Sequence, residues 1–232
     1  LPMSGALALV GAGEYLPPMD SVDHWLLARL PANAHVVCLP TAAGTEGDAR
    51  LRYWMDLGVD HFRRLGAQVE ALPIVDRDSA EDEDHAVRIR HAQFVYLSGG
   101  KPDYLYDTLA GTPALAAILA VLDGGGVVAG CSAGAMIWGE QFRSLRGVTD
   151  WRPGFGRTLG AVVIPHFDEM PSGMLTAAWQ SLPPELSLLG VDRNTALVLA
   201  DGKAQVVGSG SVSVWNVTRR EKHPHGADVT WP

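Results

Sequence analysis

The first 130 residues of the chain alternate between short apolar runs and longer amphipathic stretches. The runs are rich in Val, Leu and Ala and continuously apolar, which is typical of strands covered on both faces in a parallel sheet. They predict strands at residues 6–10, 35–39, 68–73, 94–97 and 127–130. The amphipathic stretches predict helices at residues 21–30, 47–65 and 79–90, the last opened by a capping box of Ser79 and Asp82. This β-α-β-α-β-α-β order indicates strands joined by crossover helices.

The pattern changes after residue 160, where short strand-like segments follow one another closely. They lie at residues 161–164, 195–199, 204–208 and 211–217. This close spacing, with a turn signal at Asp201-Gly202, predicts an antiparallel extension of the sheet. Residues 147–160 are the least regular internal segment, and residues 222–232 predict a loosely held tail. Because no repeat or long linker interrupts the chain, we expect a single α/β domain over residues 1–232 with a mostly parallel central sheet.

Charge and hydropathy exclude two classes of partner. The 232 residues include 18 Lys and Arg against 26 Asp and Glu, a net charge of −8. The basic residues form no cluster longer than Arg219 and Arg220 with Lys222 nearby. Binding to a phosphate backbone needs a concentrated positive face, so we expect no nucleic-acid partner. The apolar runs are far shorter than the roughly 18 to 20 residues that span a bilayer, so we expect no membrane partner.

The start of the chain and its cysteines bear on location and cofactors. Residues 1–10 lack a basic segment and run directly into Gly11-Ala12-Gly13, which predicts a first core strand rather than a secretory signal. Cys38 and Cys131 lie in apolar segments and offer neither a disulfide framework nor a metal-binding spacing. We therefore expect a cytoplasmic protein with no cofactor and no metal.

One motif carries chemistry. Gly130-Cys131-Ser132-Ala133-Gly134 is a G-x-S-x-G pattern that follows an apolar strand and precedes a helical stretch, which is the context of a nucleophile elbow. Such a turn would present Ser132 as the nucleophile and aim the Ala133 amide at a developing oxyanion. A glycine-rich strand-to-helix turn without catalysis is the alternative. Cys131 lies off the apex of this turn and is expected to be a buried packing thiol.

A serine nucleophile needs a base, and His166 is the candidate among the eight histidines. It follows the predicted strand 161–164 through Pro165, which would place its imidazole at a strand end, after the serine in chain order. The other histidines lie in predicted helices, at strand entries or in the polar tail. A structural histidine is the alternative for His166.

These motifs together resemble a known family. The chain carries Ser98-Gly99-Gly100-Lys101-Pro102-Asp103 after a strand, then the Ser132 motif, then Pro165-His166-Phe167. In this order and spacing they are similar to the dipeptidase E and cyanophycinase family of serine peptidases, and the segment 190–198 also matches. The resemblance spans residues 94 to 217 and implies a three-layer α/β/α sandwich like that of class I glutamine amidotransferases.

The resemblance also implies roles for individual residues. Ser132 would be the nucleophile and His166 the general base, with an oxyanion hole formed by the amides of Gly99, Gly100 and Ala133. The third catalytic residue stays open. Where cyanophycinase-like relatives carry an acid this chain has Arg193. Dipeptidase E-like relatives have an aspartate between the serine and the histidine, ahead of a Gly-Phe pair. Asp150, which precedes Gly154-Phe155, is therefore expected as the acid, with Asp192 second and Asp168 third.

The function expected from the sequence is hydrolysis of short peptides by a dipeptidase or exopeptidase, with the aspartyl preference that the family suggests. An acidic specificity pocket should contain a cation, for which Lys101, Arg152 and Arg193 are candidates. Glu14 and Tyr15 either line the crevice or face solvent. An amidase or esterase with the same site, or an inactive binding module, is the alternative. Since dimers are common among the relatives, a homodimer is an expectation.

Overall fold

The computed structural model describes residues 4–145 and 150–231. Within these ranges the strands are β1 (Ala6–Val10), β2 (His35–Leu39), β3 (Gln68–Ala71), β4 (Phe94–Leu97), β5 (Val127–Cys131), β6 (Gly139–Arg143), β7 (Trp151–Pro153), β8 (Thr158–Ile164), β9 (Ser187–Val191), β10 (Thr195–Ala200), β11 (Lys203–Gly208), β12 (Ser211–Trp215) and β13 (Arg220–Pro224). The helices are α1 (Asp20–Leu27), α2 (Asp48–Arg64), α3 (Arg77–Glu81), α4 (Glu83–Arg90), α5 (Pro102–Leu109), α6 (Pro113–Asp123), α7 (Ala133–Met136) and α8 (Ser172–Ser181). Short 3-10 turns lie at Pro17–Met19 and Thr41–Ala43.

The larger of two sheets has seven strands in the order β11-β10-β1-β5-β4-β2-β3. The five strands from β1 to β3 in that order are parallel, whereas β10 and β11 pair antiparallel at one side. In the centre of the sheet Val10 pairs with Cys131, and Gly130 pairs with Leu97. The chain segments that follow β1, β4 and β5 therefore leave the sheet side by side at its carboxyl edge.

Helices cover both faces of this sheet. On one face Leu7 and Leu9 of β1 join a buried apolar cluster with Leu105 of α5 and Ile118 of α6. On the other face, Ala8 and Val10 belong to a cluster with Phe62 of α2 and Leu26 of α1. Burial on both sides explains why β1, β2, β4 and β5 are almost wholly apolar, whereas the edge strand β3 is partly exposed and contains Gln68 and Glu70. The mixed α/β class is confirmed, and the likeness to the class I glutamine amidotransferase sandwich stays a prediction.

A second sheet of six strands was not predicted. Its order is β13-β12-β9-β8-β6-β7. The predicted antiparallel extension is right for β10 and β11 and wrong for the segments at 161–164 and 211–217, because β8 and β12 both pair with β9 in the second sheet. One buried cluster includes Leu9 and Leu197 of the first sheet and Val163 and Leu189 of the second. The two sheets thus share a core; the single domain over 1–232 stays a prediction.

Two smaller predictions were also wrong. The tail is not loose from residue 222, because β13 pairs with β12 along the edge of the second sheet. The helix predicted at 79–90 is two helices that meet at Asp82, whose side chain accepts a hydrogen bond from Asp84 N. The capping box belongs to α3 and pairs Asp76 with Ser79. The irregular segment 147–160 contains β7, and its residues 147–149 lie outside the described ranges.

In the described ranges no single helix is long and apolar enough to cross a membrane.

Candidate active site

Ser132 lies at the turn between β5 and α7, in a backbone conformation that residues other than glycine rarely adopt. Its backbone angles are φ 52° and ψ −112°, and its amide donates to the Val10 carbonyl oxygen at 3.0 Å. The flanking glycines are required by close backbone approach. A Cβ on Gly130 would lie 2.1 Å from the Gly134 oxygen, and one on Gly134 would lie 2.5 Å from the Leu97 oxygen. Strain of this kind persists only where the surrounding structure enforces it, and it is common at functional sites.

His166 contacts Ser132 from the second sheet. It follows β8 through Pro165, has a positive φ of 53°, and its amide donates to the Gly11 carbonyl oxygen at 3.3 Å. Its Nε2 lies 3.2 Å from Ser132 Oγ, within hydrogen-bond reach. The structure thus brings together the serine and the histidine that the sequence singled out.

The carboxylate on the far side of the imidazole belongs to Glu169. Its Oε2 lies 2.8 Å from His166 Nδ1, and its Oε1 accepts from Arg193 Nη1 at 2.9 Å. Because an ionised carboxylate can only accept, Nδ1 carries the proton and Nε2 is free to accept from the Ser132 hydroxyl. The hydrogen bond with His166, followed by the charge of Arg193, holds the pKa of Glu169 below its usual range.

The three aspartates expected as the acid lie elsewhere. Asp150 is exposed, and its carbonyl oxygen accepts from Ser144 N at 2.8 Å. Asp168 Oδ1 accepts from Arg193 N at 2.7 Å, and the buried Asp192 accepts from Ser211 N at 3.0 Å. In the described part of the chain, the carboxylate that His166 Nδ1 contacts is that of Glu169 and not that of Asp150.

Sequence reasoning missed Glu169, although a signal was present. Glu169 follows His166 by three residues, and its amide donates to the His166 carbonyl oxygen at 3.0 Å, which closes a tight turn. Such a turn brings the side chains of its first and last residues to one side. A carboxylate three residues after a candidate base was therefore the available clue.

The amides expected in the oxyanion hole are of two kinds. Gly99 N donates to the Glu14 carboxylate at 2.8 Å, so this amide is not free to donate to an oxyanion. Among residues 4–145 and 150–231, the amides of Gly100 and Ala133 make no hydrogen bond with the protein. Gly100 has φ 147°, and a Cβ there would lie 2.4 Å from the Ala42 oxygen, so the position requires glycine.

Glu14 connects the segments that meet beside Ser132. The side chain is buried, Oε1 accepts from Gly99 N, and Oε2 accepts from Cys131 Sγ at 3.0 Å. It therefore faces inward rather than solvent. Burial, and then the charge of Glu14, raises the pKa of the Cys131 thiol well above its usual range. This leaves Cys131 as a buried thiol and a poor nucleophile.

Two clefts flank His166. A cavity of about 560 Å³ is lined by Ser132, His166, Gly100 and Arg143 together with mostly apolar side chains. A second, of about 320 Å³, lies on the side of Glu169 and Arg193 and has Tyr53 in its wall.

The three cations expected to bind substrate have protein partners. Lys101 Nζ donates to Thr45 Oγ1 at 2.8 Å, and Arg193 is paired with Glu169. Arg152 Nη1 lies 2.8 Å from Asp103 Oδ1. Arg193 therefore supports the carboxylate that contacts His166.

Comparison with known proteins identifies the family. Residues 7–207 match the model of peptidase family S51. The chain belongs to peptidase family S51. The resemblance read from the sequence is confirmed.

Individual S51 relatives and structural neighbours resemble the chain over most of its length. It is 30% identical to the cyanophycinase of Synechococcus elongatus over 191 residues, 77% of this chain and 58% of that protein. It is 28% identical to the cyanophycinase of Trichormus variabilis over 235 residues, 95% of this chain and 77% of that protein. The chain thus spans little more than half the length of the Synechococcus protein.

Two solved structures resemble the whole fold. A peptidase from an acI-B1 Actinobacterium superposes with a TM-score of 0.89 at 33% identity, covering 99% of this chain and 98% of that one. A putative peptidase E protein from Listeria monocytogenes superposes with a TM-score of 0.65 at 18% identity, covering 89% of this chain and 98% of that one. The second likeness concerns the fold alone.

Proposed function

We propose that this protein is a serine peptidase that hydrolyses short peptides, as a dipeptidase or exopeptidase, with Ser132, His166 and Glu169 as its catalytic triad. One observation carries the proposal. In a member of family S51, a serine on a strained turn lies 3.2 Å from an imidazole whose other nitrogen lies 2.8 Å from a carboxylate. In this proposal Glu169 replaces Asp150, which the sequence analysis expected as the acid.

The proposed reaction begins when Ser132 Oγ attacks the scissile carbonyl carbon. His166 Nε2 accepts the hydroxyl proton as the bond forms. The tetrahedral oxyanion would be bound by the uncommitted amides of Gly100 and Ala133. His166 then gives the proton to the leaving amine, which departs and leaves an acyl-enzyme ester on Ser132. A water molecule, deprotonated by His166, hydrolyses this ester and restores the serine.

Glu169 and Arg193 act on the base rather than on the substrate. Glu169 holds the Nδ1-protonated tautomer and stabilises the imidazolium that forms when Nε2 takes the serine proton. Arg193 occupies the second oxygen of that carboxylate, which fixes its orientation. The presence of Arg193 where some relatives carry an acid is therefore compatible with an active enzyme.

An amidase or esterase would use the same groups on a different acyl compound, so substrate testing decides between them. Labelling with a fluorophosphonate, followed by intact-mass measurement, is the first experiment. We expect one adduct on the wild type and none on Ser132→Ala or His166→Ala. Release of amino acids from a dipeptide panel, against matched amides and esters, then identifies the acyl group. Absence of an adduct on the wild type would overturn the proposed activity.

The cytoplasmic location, the homodimer and the absence of a cofactor stay predictions. Cell fractionation, sedimentation and activity after dialysis against a chelator test them in turn.

A further inference from the structure

Arg143 is a buried cation that pairs with no side chain in the part of the chain that the structure describes. It is the last residue of β6, is only 9% exposed, and lines the 560 Å³ cavity that contains Ser132 and His166. Among the described residues its guanidinium makes no hydrogen bond and no ion pair. An arginine stays charged at any pH that a folded protein tolerates, so its burial without an anion is costly.

The neighbouring carboxylate of Asp103 already has hydrogen-bond partners. The carboxylate of Asp103 accepts from Ser144 Oγ at 2.9 Å, from Leu145 N at 2.9 Å and from Arg152 at 2.8 Å. Arg152 lies on β7, where it pairs with Phe142, the residue before Arg143. Arg152 is therefore neutralised by ion pairs with Asp103 and Asp107, whereas Arg143 lines the cavity.

The rest of the cavity wall offers no counter-charge. Within the described ranges, no carboxylate lines it. Its apolar surface comes from Met136, Leu145, Ile164, Pro165, Met170 and Met174. In apolar surroundings a guanidinium binds a carboxylate more strongly than it would in water, and it does so through two parallel hydrogen bonds.

We propose that Arg143 is the specificity-determining residue of this site and binds a carboxylate of the substrate. The assignment rests on the proposed function and deepens it. Arg143 replaces Lys101, Arg152 and Arg193, which have partners of their own. The carboxylate has two sources in a short peptide: an acidic side chain on the residue that acylates Ser132, or the free C-terminus of the residue that leaves.

Peptide binding to a Ser132→Ala background tests the assignment without turnover. The ligands are Asp-Leu and Asn-Leu, each with a free or an amidated C-terminus, and affinity is measured by calorimetry. Adding Arg143→Met should weaken binding of the carboxylate-bearing ligand about 100-fold, because a charge-assisted pair is lost. It should change binding of the matched neutral ligand less than about threefold.

The pattern among the four ligands identifies the source. Dependence on Asp over Asn points to the side chain, whereas dependence on the free C-terminus points to the leaving residue. Arg157→Met is the matched control, because Arg157 pairs with Asp123 at 3.3 Å and lines neither cleft beside His166. It should leave all four affinities unchanged.

The outcomes are separable from those of the proposed function. The Ser132→Ala protein with Arg143 intact is measured first. Equal affinity for all four ligands in that protein would overturn the assignment. So would an equal loss for charged and neutral ligands in a folded Arg143→Met protein. If that variant fails to fold, Arg143→Lys keeps the charge but loses the second hydrogen bond and should weaken only the carboxylate-bearing ligand. Fluorophosphonate labelling of Ser132 reports on catalysis alone, so its failure would count against the activity and not against Arg143.

Discussion

Glu169 bridges His166 and Arg193, giving one carboxylate oxygen to each. The imidazole proposed as the base is thus held by a carboxylate that is itself held by a cation. The side chains of these three residues are 40–50% exposed, so their contacts with one another hold them in place.

Glu169→Gln should lower kcat about 10³- to 10⁴-fold, because the amide no longer enforces the Nδ1-protonated tautomer; the range follows the effect of the corresponding change in a serine protease. Steady-state kinetics on the best dipeptide measures it, and KM should change little. Asp150→Asn is the competing variant. A large loss of kcat in that variant, with normal rates in Glu169→Gln, would restore Asp150 as the acid.

Arg193→Met should move the acid limit of activity to higher pH. The hydrogen bond with His166 and the charge of Arg193 lower the pKa of Glu169. The ionised carboxylate that holds the imidazole is therefore fully present above the ordinary glutamate pKa of about 4.3, and it is lost as pH falls through the lower, folded-state pKa. Without the arginine this loss begins at a higher pH. A kcat profile between pH 3 and 7 that is unchanged in Arg193→Met would contradict the role given to the ion pair.

Glu14→Ala should reduce both stability and kcat. It leaves Gly99 N without an acceptor in a buried place, which costs about 1 to 3 kcal/mol of unfolding free energy. It also releases the turn that carries the Gly100 amide, so we expect kcat to fall by about 10-fold or more while KM changes less. Urea denaturation and steady-state kinetics measure the two effects. Glu14→Gln keeps an acceptor for Gly99 and should recover part of both; normal kcat in a destabilised Glu14→Ala protein would limit Glu14 to a structural role.

Gly130→Ala should prevent folding or destabilise the protein by several kcal/mol, because the added Cβ would lie 2.1 Å from a backbone oxygen. Gly173→Ala is the matched change. Gly173 lies in α8 with open space around it, so alanine there should raise the unfolding free energy by about 0.5 to 1 kcal/mol. Thermal melts compare the two, and similar melting temperatures would show that the turn around Ser132 tolerates a side chain.

The sequence predicted the centre of the first sheet well because β1, β2, β4 and β5 are buried on both faces and are bounded by turn signals. β1, β2 and β4 begin and end where the apolar runs do. It failed for β6 and β13, whose residues are largely polar: β13 is an exposed edge strand that contributes little to the core. In such strands, pairing with a distant segment decides the conformation, and a local pattern does not contain that information.

The sequence predicted only part of the candidate site, as it did only part of the fold. Ser132 and His166 follow from motifs that each need only a strand and the turn after it. Glu169 and Arg143 do not, because their roles depend on which side chains the three-dimensional fold leaves paired or unpaired. Arg143 and Arg152 lie on adjacent strands and carry the same charge. The positions of Asp103 and Asp107, which both pair with Arg152, distinguish this structural cation from the one proposed to bind a ligand.

Ser132 follows β5 of the first sheet, and His166 follows β8 of the second. The strands of the two sheets are hydrogen-bonded separately. The 3.2 Å contact between Ser132 Oγ and His166 Nε2 therefore exists only when both sheets have formed and packed against each other. A probe that reacts with Ser132 only when His166 is in place would thus report on complete tertiary structure.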